Sequence, residues 1–420
     1  MDDLIRQAAQ AAVDNRYWEA AQLYTEVLSK TDPRATDPET REIRLNSLRE
    51  RGRMLGFIGE QEAALSAYEQ YYLEAGNSQH AVAALTFIGH QCRGIGRYKQ
   101  SLDAYTEALE LSEAIQYTAG KAKALAGRGV TLLLLGRVEE AIDYFERANP
   151  LFEQTGDITG RILTFNRLGV ASGFSSQLDK AISYFEEALT LSRKIGHHET
   201  TVSALNNLGE CYQHLFDMEK ALAYHRDGLA LAEKARLRLI EADICRNLGL
   251  ELCYLGHCDD GLDYLHRALA IAEETANQDA LAYTLYALAL TQAEEGNLTV
   301  AEHHAEHLKA TAERNDSRNQ LASAYHALGL IRQKQGNLSA AEQAWQQALF
   351  LAHESDNRTL LWKVHGLLAK IAANPSLASV HNQIASAVIQ QIADPFVNKP
   401  LKQTFLTAPP VKEILAGNGR

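Results

Sequence analysis

Few residues in this chain stand at spacings that do chemistry. His303 and His307, in the segment AEHHAEHLKA, fall four apart with Glu302 and Glu306 beside them. Two imidazoles one helical turn apart can share a metal ion, but the order is not HExxH, and a pair supplies fewer ligands than a metal site needs. Solvated surface histidines are expected instead, and no metal. The five cysteines (Cys92, Cys211, Cys245, Cys253 and Cys258) form no CxxC pair, which points to reduced, buried thiols. GxxxxGK[ST], GxGxxG after a strand and GxSxG are all missing. No acid–base pair or nucleophile set gathers in one place. The expectation is therefore no catalytic residue, no cofactor and no enzyme. Arg128 is a puzzle of another kind, since it holds a register that Leu or Ile fills elsewhere.

The elements that would carry these residues are helices. Of eight prolines, two (Pro33 and Pro38) lie near the start and five at or beyond Pro375, with only Pro150 between. Proline breaks helix interiors, so the long stretch almost free of it, and rich in Ala, Leu, Glu and Gln, reads as helix upon helix. The chain has 420 residues, 46% of them hydrophobic and 22% charged, with a formal charge of -12. That field repels phosphate backbones, so no nucleic-acid partner is expected. The longest apolar run, around Leu132 to Leu135, is too short for a bilayer, and MDDLIRQAAQ lacks a signal-peptide pattern. No membrane insertion and a cytoplasmic setting follow as expectations.

The chain repeats every forty residues. Stepping from Gly209 gives Gly89, Gly129, Gly169, Gly249, Ala289, Gly329 and Ala369. Seven residues on runs Gly96, Gly136, Ser176, Phe216, Gly256, Gly296 and Gly336. Two further series hold mostly alanine: one from Ser101 through Ala141 and Ala181 to Ala341, the other from Ala108 through Ala148 and Ala188 to Ala348. The first series fits a place where two helices of a hairpin cross closely. The second fits the end of the first helix, where glycine accepts a left-handed conformation. Leu168, Leu208 and Leu248 before the crossing, and Tyr144, Tyr184, Tyr224 and Tyr264 on the second helix, keep helical spacing and read as core.

Small residues at crossing points, an aromatic on the second helix and a turn glycine between them resemble the tetratricopeptide repeat. The familiar unit has about 34 residues, so this longer one is similar to the repeats of kinesin light chains and Leu-Gly-Asn-repeat adaptors. ALNNLGECYQHLFDMEKALAYH (204–225) and RNLGLELCYLGHCDDGLDYLHRAL (246–269) carry the likeness. The tail, DPFVNKPLKQTFLTAPPVKEIL (394–415), resembles the end segment of such arrays in bacterial multidomain signalling proteins. The resemblance implies an all-α, right-handed superhelical solenoid of antiparallel helix pairs with about nine to ten repeats. The expected organisation is an N-terminal helical cap and partial repeat over 1–38, the array over 39–358, terminal helices over 359–393 and a capping tail over 394–420. Phe396, Leu401, Phe405 and Leu406 would cover the last apolar face.

In that family the first helix of each hairpin lines a concave groove, which implies a site. Its polar members here are Asn166, Arg167, Asn206, Asn207, Glu210, Gln213, Asp243, Arg246, Asn247, Tyr283 and Tyr286. Amides donate to and accept from peptide groups, and arginine pairs bidentately with acids. Equally, the asparagines serve to bond neighbouring helices. Val130, Leu133, Leu163, Val170 and Phe174 form an apolar patch suited to an anchor side chain. The carboxylate clamp that grips chaperone tails is absent, because Gly127 stands four residues after Lys123. The expected function is a scaffold that binds a peptide or protein segment in the groove. A ligand-responsive regulator of a separate signalling enzyme is the alternative.

Overall fold

The computed structural model describes residues 1–417, and among these every regular element is an α-helix. The helices are α1 (Asp2–Val13), α2 (Tyr17–Ser29), α3 (Pro38–Phe57), α4 (Gln61–Ala75), α5 (Gln79–Gly94), α6 (Tyr98–Ala114), α7 (Thr118–Leu134), α8 (Val138–Thr155), α9 (Ile158–Phe174), α10 (Leu178–Ile195) and α11 (His198–His214). There follow α12 (Met218–Ala235), α13 (Arg238–Tyr254), α14 (Cys258–Glu274), α15 (Gln278–Glu294), α16 (Leu298–Arg314), α17 (Arg318–Lys334), α18 (Leu338–Glu354), α19 (Arg358–Ile371), α20 (Pro375–Ala393), α21 (Lys399–Thr407) and α22 (Pro409–Gly417). Two compact units divide the chain, Met1–Ala171 and Ser172–Arg420. The division falls inside α9.

Within each unit successive helices pair as hairpins. The first helices also pack on one another, α5 on α7 in unit 1 and α11 on α13, α13 on α15 and α15 on α17 in unit 2. The first helices thus form one layer and the second helices the other. In the N-terminal segment α1 packs on α2 around Ala8, Ala11, Ala20 and Tyr24. Pro150 sits inside α8 without ending it, while Pro38, Pro375 and Pro400 take first-turn positions where no amide donor is lost.

The crossing residues have a direct steric cause. A Cβ on Gly129 would lie 2.7 Å from the ring of Phe145, one on Gly89 2.8 Å from Tyr105, and one on Gly249 2.6 Å from Leu265. Each small residue therefore makes room for the side chain sixteen positions later. That side chain, and not the tyrosine before it, is the buried one. Phe145, His225 and Leu265 are 0% exposed, whereas Tyr144, Tyr224 and Tyr264 are half-buried. The turn series also has its cause. Every member from Gly96 to Gly336 has positive φ, including Ser176 and Phe216 at 58° and 61°. A second left-handed series, Gln116, Gly156, Gly196, Arg236, Ala276, Asp316 and Asp356, ends the second helices.

Arg128 is accounted for by its neighbours. Its guanidinium donates to the Thr106 hydroxyl and to the Leu102 carbonyl at 3.3 Å, and it lies over the Tyr144 ring at 5.1 Å. The cation is thus spread over a carbonyl, a hydroxyl and an aromatic face.

In unit 2 the tail closes the last hairpin. Phe396 and Phe405 stack at 6.3 Å, and Val411 and Ile414 are buried, with Ile414 against Gly366 of α19. Leu401 and Leu406 are only half-buried. The segment then ties back to α10. The Asp179 carboxylate accepts the backbone N–H groups of Val397 and Asn398 at 2.6 and 2.9 Å. Phe216 meets Trp362 of α19 edge-on at 6.4 Å.

Buried histidines in this end of unit 2 make its stability fall in acid. His365 on α19 lies with Nδ1 2.9 Å from Nδ1 of His381 on α20. One ring must donate and the other accept, so the pair admits no second proton there. Burial, then the charges of His381 and His353, hold His365 down to about 4. Burial also lowers His381, against a pull from Glu342. An unfolded imidazole protonates below about pH 6.5, so between there and pH 4 the unfolded chain binds more protons. Unfolding free energy is therefore expected to drop by about 2 kcal/mol from His365 between pH 7 and pH 5. Urea melts at the two values check this, and the drop should shrink in His365→Leu.

Candidate functional site

The residues expected to face a ligand fall into two groups, one in each unit. In unit 2, α11, α13 and α15 present a connected polar cluster. Arg246 is its centre, with only 12% of its side chain exposed. Nη1 donates to Asp243 at 2.7 Å, Nη2 donates to Asn247 Oδ1 at 3.1 Å, and Glu210 lies 3.5 Å away. The guanidinium also lies over the Tyr283 ring at 5.5 Å. Arg246 is thus already supplied with anions. The accessible groups are the carboxylates of Glu210 and Asp243, each 37% exposed, and the Tyr283 ring, 42% exposed. Burial raises the Asp243 carboxyl above its ordinary range, while Arg246 opposes the shift.

Beneath this surface lies a buried network that the sequence reading did not assemble. Asn247 is 2% exposed, and its amide donates to Asn206 and Glu210, both at 3.2 Å. Asn206, 8% exposed, donates to Glu210 at 3.2 Å. His225 Nδ1 lies 2.7 Å from Glu251, and its Nε2 faces the Asn206 carbonyl at 3.2 Å. Gln213 adds a bond to Glu251 at 3.3 Å. Burial raises the Glu251 carboxyl, and the bond to His225 pulls the other way. The signal was available in the register. His225 stands where Tyr105, Phe145 and Phe185 stand in earlier repeats, and Glu251 where Thr131, Ala171 and Cys211 do.

The remaining positions divide similarly. Asn207 is half-buried on α11. Tyr286 is half-buried, with its hydroxyl 2.9 Å from His326 Nδ1, which burial pushes down to about 3. The patch residues Val130, Leu133, Leu163 and Val170 are half-buried in unit 1, as are Asn166 and Arg167. Phe174 belongs to unit 2 and is 71% exposed. His303 is exposed and His307 half-buried on α16. Among the described residues no three His, Cys, Asp or Glu side chains gather as metal ligands. None of the described helices is long and apolar enough to cross a membrane.

The paired helices and their forty-residue register define a helical-repeat protein. Two stretches of the chain are tetratricopeptide repeats: the family model for the tetratricopeptide repeat matches residues 80–154 and 161–234. Several solved structures share the fold. The apo form of RapI aligns at 15% identity over 85% of this chain and 98% of its own, with a TM-score of 0.65. A Rap protein complexed with competence and sporulation factor aligns at 16% identity over 85% and 99%, with a TM-score of 0.61. The apo quorum sensor NprR from B. thuringiensis aligns at 14% identity over 83% and 98%, with a TM-score of 0.60. No curated protein sequence matches the chain.

Proposed function

We propose that the protein binds an extended peptide or protein segment along its first helices, without catalysis of its own. The observation that carries this is the cluster on α11, α13 and α15, where Glu210, Asp243 and Tyr283 stand accessible around a fully engaged Arg246. The buried amides and the His225–Glu251 pair hold that surface rigid, so little ordering is lost on binding. The exposed carboxylates suit a cationic group of the segment, and the Tyr283 ring suits its apolar or cationic side chains. Asn207 and Gln213 border the same helices, and the half-buried Val130, Leu133, Leu163 and Val170 offer an apolar anchor in unit 1. A solved Rap protein of this fold is complexed with competence and sporulation factor, which supports a bound ligand.

The test uses immobilised full-length protein and a random pentapeptide library, with retained peptides read by mass spectrometry. Tyr283→Ala/Asp243→Asn removes the accessible ring and the accessible charge, and the amide oxygen introduced at 243 still accepts from Arg246. It is expected to keep the wild-type melting temperature and to retain cationic peptides about tenfold less well, as loss of charge-assisted contacts predicts. Equal retention by wild type and variant would move the site off this cluster.

A second reading, a regulator that changes state on binding, is favoured by the tail tied to Asp179. Hydrogen exchange that rises in 394–417 when a retained peptide is added would support it. Unchanged exchange would leave a static scaffold.

A further inference from the structure

Unit 1 holds two arginines to which its own residues supply no anion. Arg93 closes the inner face of α5. Its Nη1 donates to the Tyr105 hydroxyl at 3.3 Å and lies 3.5 Å from the Gly127 carbonyl. Arg167 on α9 lies within electrostatic reach of Arg93 and Tyr105, and among the described residues it has no ion pair. Two guanidiniums in such reach of each other without a carboxylate repel, and more strongly away from bulk water.

The helix between them explains how they meet. At the register where α9 carries Arg167, α7 carries Gly127. A Cβ at Gly127 would strike the Tyr105 ring. Glycine therefore leaves room for the buried Tyr105 ring, whose hydroxyl meets Arg93, and Arg167 on the next first helix lies within electrostatic reach of both. Partial burial, then the charges of Arg93 and Arg167, lower the His90 imidazole on α5.

We propose that Arg93 and Arg167 jointly receive an oxyanion carried by the bound peptide. The guanidinium fork matches carboxylate and phosphate alike, so a C-terminal carboxylate, an acidic side chain and a phosphoserine share the required chemistry. This deepens the peptide-binding reading and rests on it. With the exposed carboxylates of unit 2, it assigns each unit one sign of ligand charge.

The experiment uses three pentapeptide libraries on immobilised full-length protein: free-acid, C-terminally amidated without Asp or Glu, and the same amidated set bearing one phosphoserine. Wild type is expected to retain the free-acid or the phosphoserine library about tenfold better than the neutral one, and whichever it retains names the source of the oxyanion. Arg93→Gln/Arg167→Gln should lose that preference. Arg167→Lys, which keeps the charge without the fork, should keep part of it. Because Arg167→Gln removes one of two like charges, it should melt no lower than wild type, which separates lost recognition from lost fold. Retention independent of both arginines, yet lost in Tyr283→Ala/Asp243→Asn, overturns the oxyanion site and leaves the peptide reading standing. Retention of no library by wild type overturns both.

Discussion

Trp345→Ala is expected to lower the unfolding free energy by about 3–5 kcal/mol, the range for emptying a large aromatic site in a packed core. Trp345 on α18 is 0% exposed, and its indole N–H donates to the His326 carbonyl at 3.2 Å. Its ring lies against Gly329, where any Cβ would collide with it. The backbones of α17 and α18 are spaced by that ring, so α17 cannot collapse onto an alanine without breaking its contacts to α15. Trp345→Phe keeps most of the volume and should lose only about 1–2 kcal/mol, the hydrogen bond and a little packing. Gly329→Ala should destabilise as well, from the opposite side of the contact. In a repeat array each hairpin interacts with its neighbours only. The loss should therefore appear as earlier melting of unit 2, followed by circular dichroism in urea, with unit 1 protected from hydrogen exchange as in wild type. A Trp345→Ala protein within about 1 kcal/mol of wild type would show that the gap closes, and that glycine at 329 answers to something else.

The second large effect concerns the buried pair of His225 and Glu251. Both side chains are 0% exposed, and Glu251 Oε2 has no hydrogen-bond partner. Removing one member leaves the other buried without its closest partner. His225→Phe or Glu251→Ala alone is expected to cost about 3–5 kcal/mol. Removing both should be far milder. The preceding hairpin shows the apolar solution in the same register, Phe185 with Cys211. His225→Phe/Glu251→Ala should return to within about 1 kcal/mol of wild type or exceed it. Urea melts of the four proteins form a double-mutant cycle. A double variant as unstable as the sum of the singles would mean the pair is not a replaceable insert. The double variant also removes the support beneath Asn206 and Asn247. If it folds well but retains cationic peptides less tightly, the polar pair serves the binding surface and not the fold.

These two sites also show what the sequence could and could not disclose. The forty-residue register placed the crossing residues and turns, because one steric demand recurs in every hairpin and leaves a one-residue mark. The core aromatic was harder. Tyr144, Tyr184, Tyr224 and Tyr264 recur more evenly than Phe145, Phe185, His225 and Leu265, yet the second set fills the hairpins. The tyrosine rings have hydroxyls that stay near water, so their type varies less than that of residues adapting to a closed space. The asparagine run was legible as polar inner-helix residues. That Asn247 is buried and bonded to Asn206 and Glu210 depends on rotamers and on a neighbour forty residues away. Arg128 was visible only as an exception, because Thr106 and Tyr144 that receive it lie on other helices. Nothing in the sequence around Asp179 or Val397 announced their contact, since the partners are 218 residues apart.

That contact changes what kind of polymer unit 2 is. An open row of repeats frays from its ends, because the end hairpins have one neighbour each. In unit 2 the final segment is fastened to the first complete helix by two backbone hydrogen bonds on one carboxylate, and Phe216 touches Trp362 across the same closure. The row is thus a loop, with a neighbour on both sides of nearly every hairpin. Fraying at its end must first release Asp179. A change of one side chain at position 179, remote in sequence from the tail, would leave Phe216 and Trp362 to hold the closure and let the last hairpins breathe more.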